Sequence, residues 1–220
     1  MSDVVYAVFL TDAAGGSSAP ADRIRATLAD LPGTDPVVAP TLPGARNGGD
    51  LIVRLRFDSP ERREQHRPTI EGALRSADIE RVSGAVIDPR AASAGWSGRR
   101  TGAGGPGVYR VLLARAADDA TAEQIADFER ALLRMPAHVP QIRAWRLSRT
   151  AETSGATPWT HVWEQEYDEL DGLLGPYMNH PIHWAHVDQW FDPESPRRIV
   201  RDRVVHTFCA IDAPVLDTAG

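Results

Sequence analysis

Residues 91–107 read Ala-Ala-Ser-Ala-Gly-Trp-Ser-Gly-Arg-Arg-Thr-Gly-Ala-Gly-Gly-Pro-Gly. The stretch has no apolar period and is rich in Gly, Ala and Ser, which marks a linker. Its position constrains the fold more than any other feature, because the chain on either side carries the same order of elements. On the N-terminal side, residues 4–10 are apolar and β-branched, as a strand requires. Residues 21–31 carry Ile24, Leu28 and Leu31 at helical spacing and stop at Pro32. A short strand is expected around Val37 and Val38. In residues 51–57, Leu51, Val53, Leu55 and Phe57 alternate with Arg54 and Arg56, the pattern of a sheet with one covered face. Ser59 and Pro60 then open a helix as cap and first residue, and residues 79–87 form the next strand.

On the C-terminal side the series recurs. Residues 108–114 read as a strand. Thr121 with Gln124 has the spacing of a capping box and opens a helix whose apolar face is Ile125, Phe128, Leu132 and Leu133. Residues 142–147 form a strand, 148–158 a turn-rich connection, 159–167 a long strand, 170–190 a helical region and 201–211 the last strand. Strand-helix-strand-strand-helix-strand is the ferredoxin-like order, and its recurrence implies an internal duplication. The expected fold class is α+β, with two ferredoxin-like repeats whose sheets pack face to face within one chain. The expected boundaries are 1–90, 91–107 for the linker, 108–213, and a frayed tail at 214–220.

The 42 % apolar content supports real cores, and the net charge of −6 weighs against nucleic acid or an anionic membrane as partner. Cys209, the only cysteine, reads as a buried, inert thiol and excludes an internal disulfide. The N-terminus lacks the basic region of a signal peptide, and no apolar run approaches 18 residues, so a cytoplasmic protein is expected. Neither residues 46–50 nor 102–107 has the Lys-Ser/Thr and following helix of a phosphate loop.

Chemistry is concentrated in residues 159–186, which hold four of the seven histidines and three of the six tryptophans. The segment Trp159-Thr160-His161-Val162-Trp163-Glu164, followed by Tyr177-Met178-Asn179-His180-Pro181-Ile182-His183, resembles the stress-responsive α/β barrel (Dabb, dimeric α/β barrel) family. The N-terminal half is similar to it in layout only, without Thr-His and His-Pro-x-His. A plant polyketide cyclase of this family works through a tyrosine and a histidine without a cofactor. The resemblance places those roles on Tyr177 and His183, with His180 and His161 on the other motif histidines. Trp159, Ile182 and Trp184 depart from that cyclase and would reshape the pocket.

The residue chemistry agrees with these roles. A neutral imidazole can take a proton beside a carbonyl, and a phenol can donate to the oxyanion that develops. Six residues turn an unbroken helix through about 600°, so Tyr177 and His183 meet only if Pro181 breaks the helix. The expected activity is a cofactor-independent lyase, cyclase or isomerase acting on a small hydrophobic carbonyl compound, polyketide-like or aromatic. His183 and Tyr177 would be catalytic, and His161, His180, Trp159, Trp163 and Trp184 would bind substrate. No metal or other cofactor is expected, nor nucleic acid or membrane as partner. The two halves would form an intrachain pseudo-dimer, with a homodimer left open. A non-catalytic hydrophobic-ligand or stress protein is one alternative. The other is a metal- or heme-associated enzyme using the His180-x-x-His183-x-x-His186 run.

Overall fold

A computed structural model describes residues 2–11, 18–32, 34–87, 96–101, 105 and 107–216. The first half contains β1 (Ser2–Leu10), α1 (Ala19–Ala29), β2 (Val37–Pro40), β3 (Leu51–Phe57), α2 (Pro60–Ala73) and β4 (Ile79–Ile87). After it come β5 (Ser97–Arg99), β6 (Val108–Ala114), α3 (Ala122–His138), β7 (Ala144–Ser154), β8 (His161–Tyr167), a broken helical region 170–190 and β9 (Val205–Ala210). Most of the stretch read as a linker lies outside the described residues, and β5 lies within it. The helix starts follow from the sequence. Ser59 Oγ accepts the Arg62 amide, and both hydrogen bonds of the Thr121–Gln124 capping box form.

The expectation of two sheets packed face to face is overturned. The strands form one continuous curled sheet in the order β2-β3-β1-β4-β7-β8-β6-β9, with β5 paired to β7. The joint is β7, which runs on past Leu147 through the stretch expected to be a turn-rich connection. Its first part pairs with β8, and Thr150–Ser154 pair antiparallel with Gly84–Ile87 of β4. Each half thus covers the other's open strand edge, which removes a row of unpaired amides and carbonyls. At the far ends of the sheet, Thr41 bridges Cys209 and Arg46 bridges His206.

Strand alternation sorts the side chains. One cluster of buried residues, including Val4, Val8, Ile24 and Leu28, packs the first half's helices on its strands, and another, centred on Phe128, Leu132 and Trp163, does so in the second. A third cluster draws on both halves from the opposite sheet face, with Val5, Ile52, Val111, Val162 and Cys209. This interior also holds charge. Arg54, 1 % exposed, donates to Asp3 at 2.9 Å and to Glu164 at 3.3 Å. Arg146 pairs with the same two carboxylates, and the Tyr109 hydroxyl donates to Glu164 at 2.5 Å. Part of the expected tail closes the interior: Val215 and Leu216 are buried, and their amides donate to Glu166.

Candidate active site

Alternation along β6 turns Arg110 and Leu112 toward the helical layer and Tyr109, Val111 and Leu113 toward the interior. On β9 the same rule turns His206 and Phe208 toward the helices. Above them the 170–190 region is wound unusually. Leu173–Tyr177 and His183–Val187 form wide turns with i→i+5 hydrogen bonds, separated by a break at His180 and Pro181. Such wide turns inside helices recur at functional sites. The break brings Tyr177 and His183 together, with ring centroids 5.0 Å apart at 62°.

Both rings line a cavity of about 420 Å³ between this region and the sheet. Leu112, Leu132, Val187 and Phe191 supply apolar wall; Arg110 and His206 supply polar wall, and Arg46 enters from the β2–β3 hairpin of the other half. The Arg110 guanidinium lies 5.0 Å from the centroid of the Tyr177 ring, a cation–π contact. It is held by donating to His206 Nε2 at 2.9 Å and to the side-chain oxygen of Gln165, which also accepts from the Tyr167 hydroxyl. Burial, reinforced by the Arg110 charge, pushes His206 down to about 2, so it is neutral and its Nε2 lone pair is free to accept. Asp188 Oδ1 lies 3.3 Å from His183 Nδ1 without the alignment of a hydrogen bond, and that nitrogen is buried.

The other candidate residues are placed differently. His161 is buried 3.1 Å from Glu129 Oε1 and 2.7 Å from Thr160 Oγ1, edge-on to Phe128, and is outside the cavity lining. Burial would raise the Glu129 carboxyl, but hydrogen bonds from His161 and Arg149 hold it below its ordinary value. The His180 Nδ1 accepts the Ile182 amide at 3.1 Å and caps the broken turn. Trp163 is packed in the second-half core, while Trp159 belongs to the interior cluster and donates to Ser83 Oγ at 3.0 Å. Trp184 is 59 % exposed. None of the three tryptophans lines the cavity that Tyr177 and His183 share; Trp159, which precedes β8, turns to the opposite sheet face. His186 is exposed, and among the described residues no three His, Cys, Asp or Glu side chains group as a metal site would need.

Sequence reasoning missed Arg110, His206 and Arg46. The first carried a signal: Arg110 is the one charge in an otherwise apolar strand on the face the helices cover. Arg46 carried none, because it reaches the cavity from the other half.

Residues 108–205 match the family model described as the Stress responsive A/B Barrel Domain, Dabb. That part of the chain is a Dabb-like domain of ferredoxin-like fold. No curated protein matches the chain in sequence. Among solved structures, an anthrone oxidase-like protein superposes with a TM-score of 0.64 at 11 % identity, over 95 % of this chain and 90 % of that one. A mutant chlorite dismutase from Candidatus Nitrospira defluvii superposes with a TM-score of 0.53 at 8 % identity, over 94 % and 90 %. These likenesses show the fold and carry no chemistry across. No helix among the described residues is long and apolar enough to cross a membrane.

Proposed function

We propose that the protein is a cofactor-independent acid–base enzyme, of lyase, cyclase or isomerase type, acting on a small hydrophobic carbonyl compound that is polyketide-like or aromatic. The observation that carries this reading is the meeting of Tyr177 and His183, across the His180–Pro181 break, at a largely apolar cavity. With His183 Nδ1 beside Asp188, Nε2 is left to face substrate. It removes the proton α to the carbonyl; the C–H electron pair becomes the enolate C=C bond, and the carbonyl π pair moves onto oxygen. The Tyr177 hydroxyl donates to that oxygen, and Arg110 over its ring favours negative charge there. The His183 imidazolium then returns its proton to carbon, in isomerisation, or the enolate attacks a second carbonyl of the same molecule and the resulting alkoxide takes that proton, in cyclisation. The resemblance of the Thr160–His161 and His180–His183 segments to a polyketide cyclase supports the same roles. The repeated element order supports a tandem duplication in which the N-terminal half lacks the histidine pattern.

The test is exchange of α-hydrogens for solvent deuterium, followed by NMR over a panel of β-dicarbonyl and aryl ketone compounds. Removing the base in His183→Ala should slow exchange by roughly 10²–10⁴. Removing the donor in Tyr177→Phe should slow it by about 10²–10³. Equal exchange by wild type and both variants on the same compound would overturn the assignment.

A further inference from the structure

The two halves reach into one another in a reciprocal way. The β2–β3 hairpin lies along β9 and carries Arg46 to the candidate active site. The end of β7 lies along β4 and carries Glu152 and Ser154 to a second cavity, of about 400 Å³, between α2, β1 and β4. This cavity stands in the first half where the active-site cavity stands in the second. Tyr6, central on the helix-facing side of β1, takes the place that Arg110 has on β6.

Its chemistry is different. Arg63 and Arg67, one turn apart on α2, both grip Glu152, at 2.6 and 2.7 Å. Ile70, Leu74 and Val86 form apolar wall. We propose that this cavity is a second binding site, for a small amphipathic carboxylate whose anionic end replaces Glu152 between Arg63 and Arg67 and whose body lies on Ile70, Leu74 and Val86.

Three observations support the exchange. Glu152 is 41 % exposed at the end of a strand, so it can swing to water and keep its charge solvated. The arginines have donors to spare: two guanidiniums offer ten N–H groups, and Arg63 Nε is buried with no hydrogen-bond partner. Tyr6 hydrogen-bonds to Ser154, and burial pushes its phenol up to about 12. It stays neutral at physiological pH and does not repel an anion. The apolar wall selects a carboxylate with a hydrocarbon body over a bare inorganic anion. The proposal does not depend on the acid–base reading of the Tyr177 cavity.

The experiment is calorimetric titration of the full chain with 4-phenylbutyrate and its neutral counterpart 4-phenyl-1-butanol. Glu152→Gln removes the carboxylate that both arginines share, leaving both arginines and the Glu64 contact on Arg67 in place. It should bind the carboxylate at least about tenfold more tightly than wild type, with the alcohol unchanged. Arg67→Gln should weaken the carboxylate by about the same factor. Amide shifts on binding should fall at Tyr6 and Gly155. The proposal is overturned by unchanged carboxylate affinity in Glu152→Gln, by an equal gain for the alcohol, or by shifts confined to the Tyr177–His183 cavity. Glu152→Gln decides the matter if Arg67→Gln does not fold, because it removes only an exposed carboxylate.

Discussion

Arg54→Met tests whether the charged interior is built as described. Arg54 and Arg146 face Asp3 and Glu164, all but shut off from water, and the half-buried Arg56 lies 3.9 Å from Asp3. Methionine keeps most of the side-chain volume and removes one of the two buried cations, leaving Glu164 with Arg146 alone in a poorly solvated place. Breaking a buried ion pair from one side costs about 3–5 kcal/mol. Against a typical stability of about 5–15 kcal/mol this is a large fraction, and a melting temperature lower by about 10 °C should accompany it. Burial alone would raise the Asp3 carboxyl, but Arg146 and Arg54 outweigh it and hold it below its ordinary 3.8. A carboxyl depressed in the folded state contributes stability above its unfolded value and loses it as pH falls through the folded one. Without Arg54 the Asp3 carboxyl rises, so the cost of the substitution is greatest at neutral pH and shrinks toward about pH 4. Adding Asp3→Asn removes the carboxylate that has lost its Arg54 partner and should recover part of the loss. Urea unfolding at pH 7 and about pH 4, followed by tryptophan fluorescence, measures all of this. A cost below about 1 kcal/mol, a cost that does not change with pH, or no recovery in the double variant would refute the reasoning.

Phe128→Ala removes a fully buried ring that packs on His161, Trp190 and Phe191; thermal unfolding should show a loss of about 3–5 kcal/mol. Glu129→Gln removes a carboxyl depressed in the folded state, so the variant should lose less stability than wild type as pH falls from about 5 to 3, read from acid titration of the unfolding midpoint. Burial pushes the Cys209 thiol up to about 12, so a disulfide reagent at about pH 8 should leave the folded protein unlabelled and react on unfolding, near the ordinary thiol range.

Local features were the legible part of this fold. Ser59 with Pro60, and Thr121 with Gln124, mark helix starts because their partners lie within three residues. The meeting of Tyr177 and His183 was legible because Pro181 lies between them. The joining of the sheet was not. Arg149-Thr150-Ala151-Glu152-Thr153-Ser154 has no apolar period and looks like a connection; it is a strand because β4 lies beside it. The alternation of Leu51–Phe57 showed that Arg54 lies on one face, but not that the face is sealed by Glu164, 110 residues away. Face-to-face packing is one way for two repeated sheets to cover their apolar faces. Curling a single sheet covers the same surface and pairs the strand edges as well.

The closure of the interior by residues 215 and 216 has a consequence for synthesis. Arg56 donates to the Val215 carbonyl, 159 residues downstream, and Arg99 reaches both Glu166 and the Leu216 carbonyl. A nascent chain emerging from the ribosome therefore holds the Asp3–Arg54 pair before Arg146 and Glu164 exist. The first half can assemble helix on strand as it is made, but its charged face must stay wet. Drying of that face waits until residues 215 and 216 have left the ribosome, long after the first half can assemble.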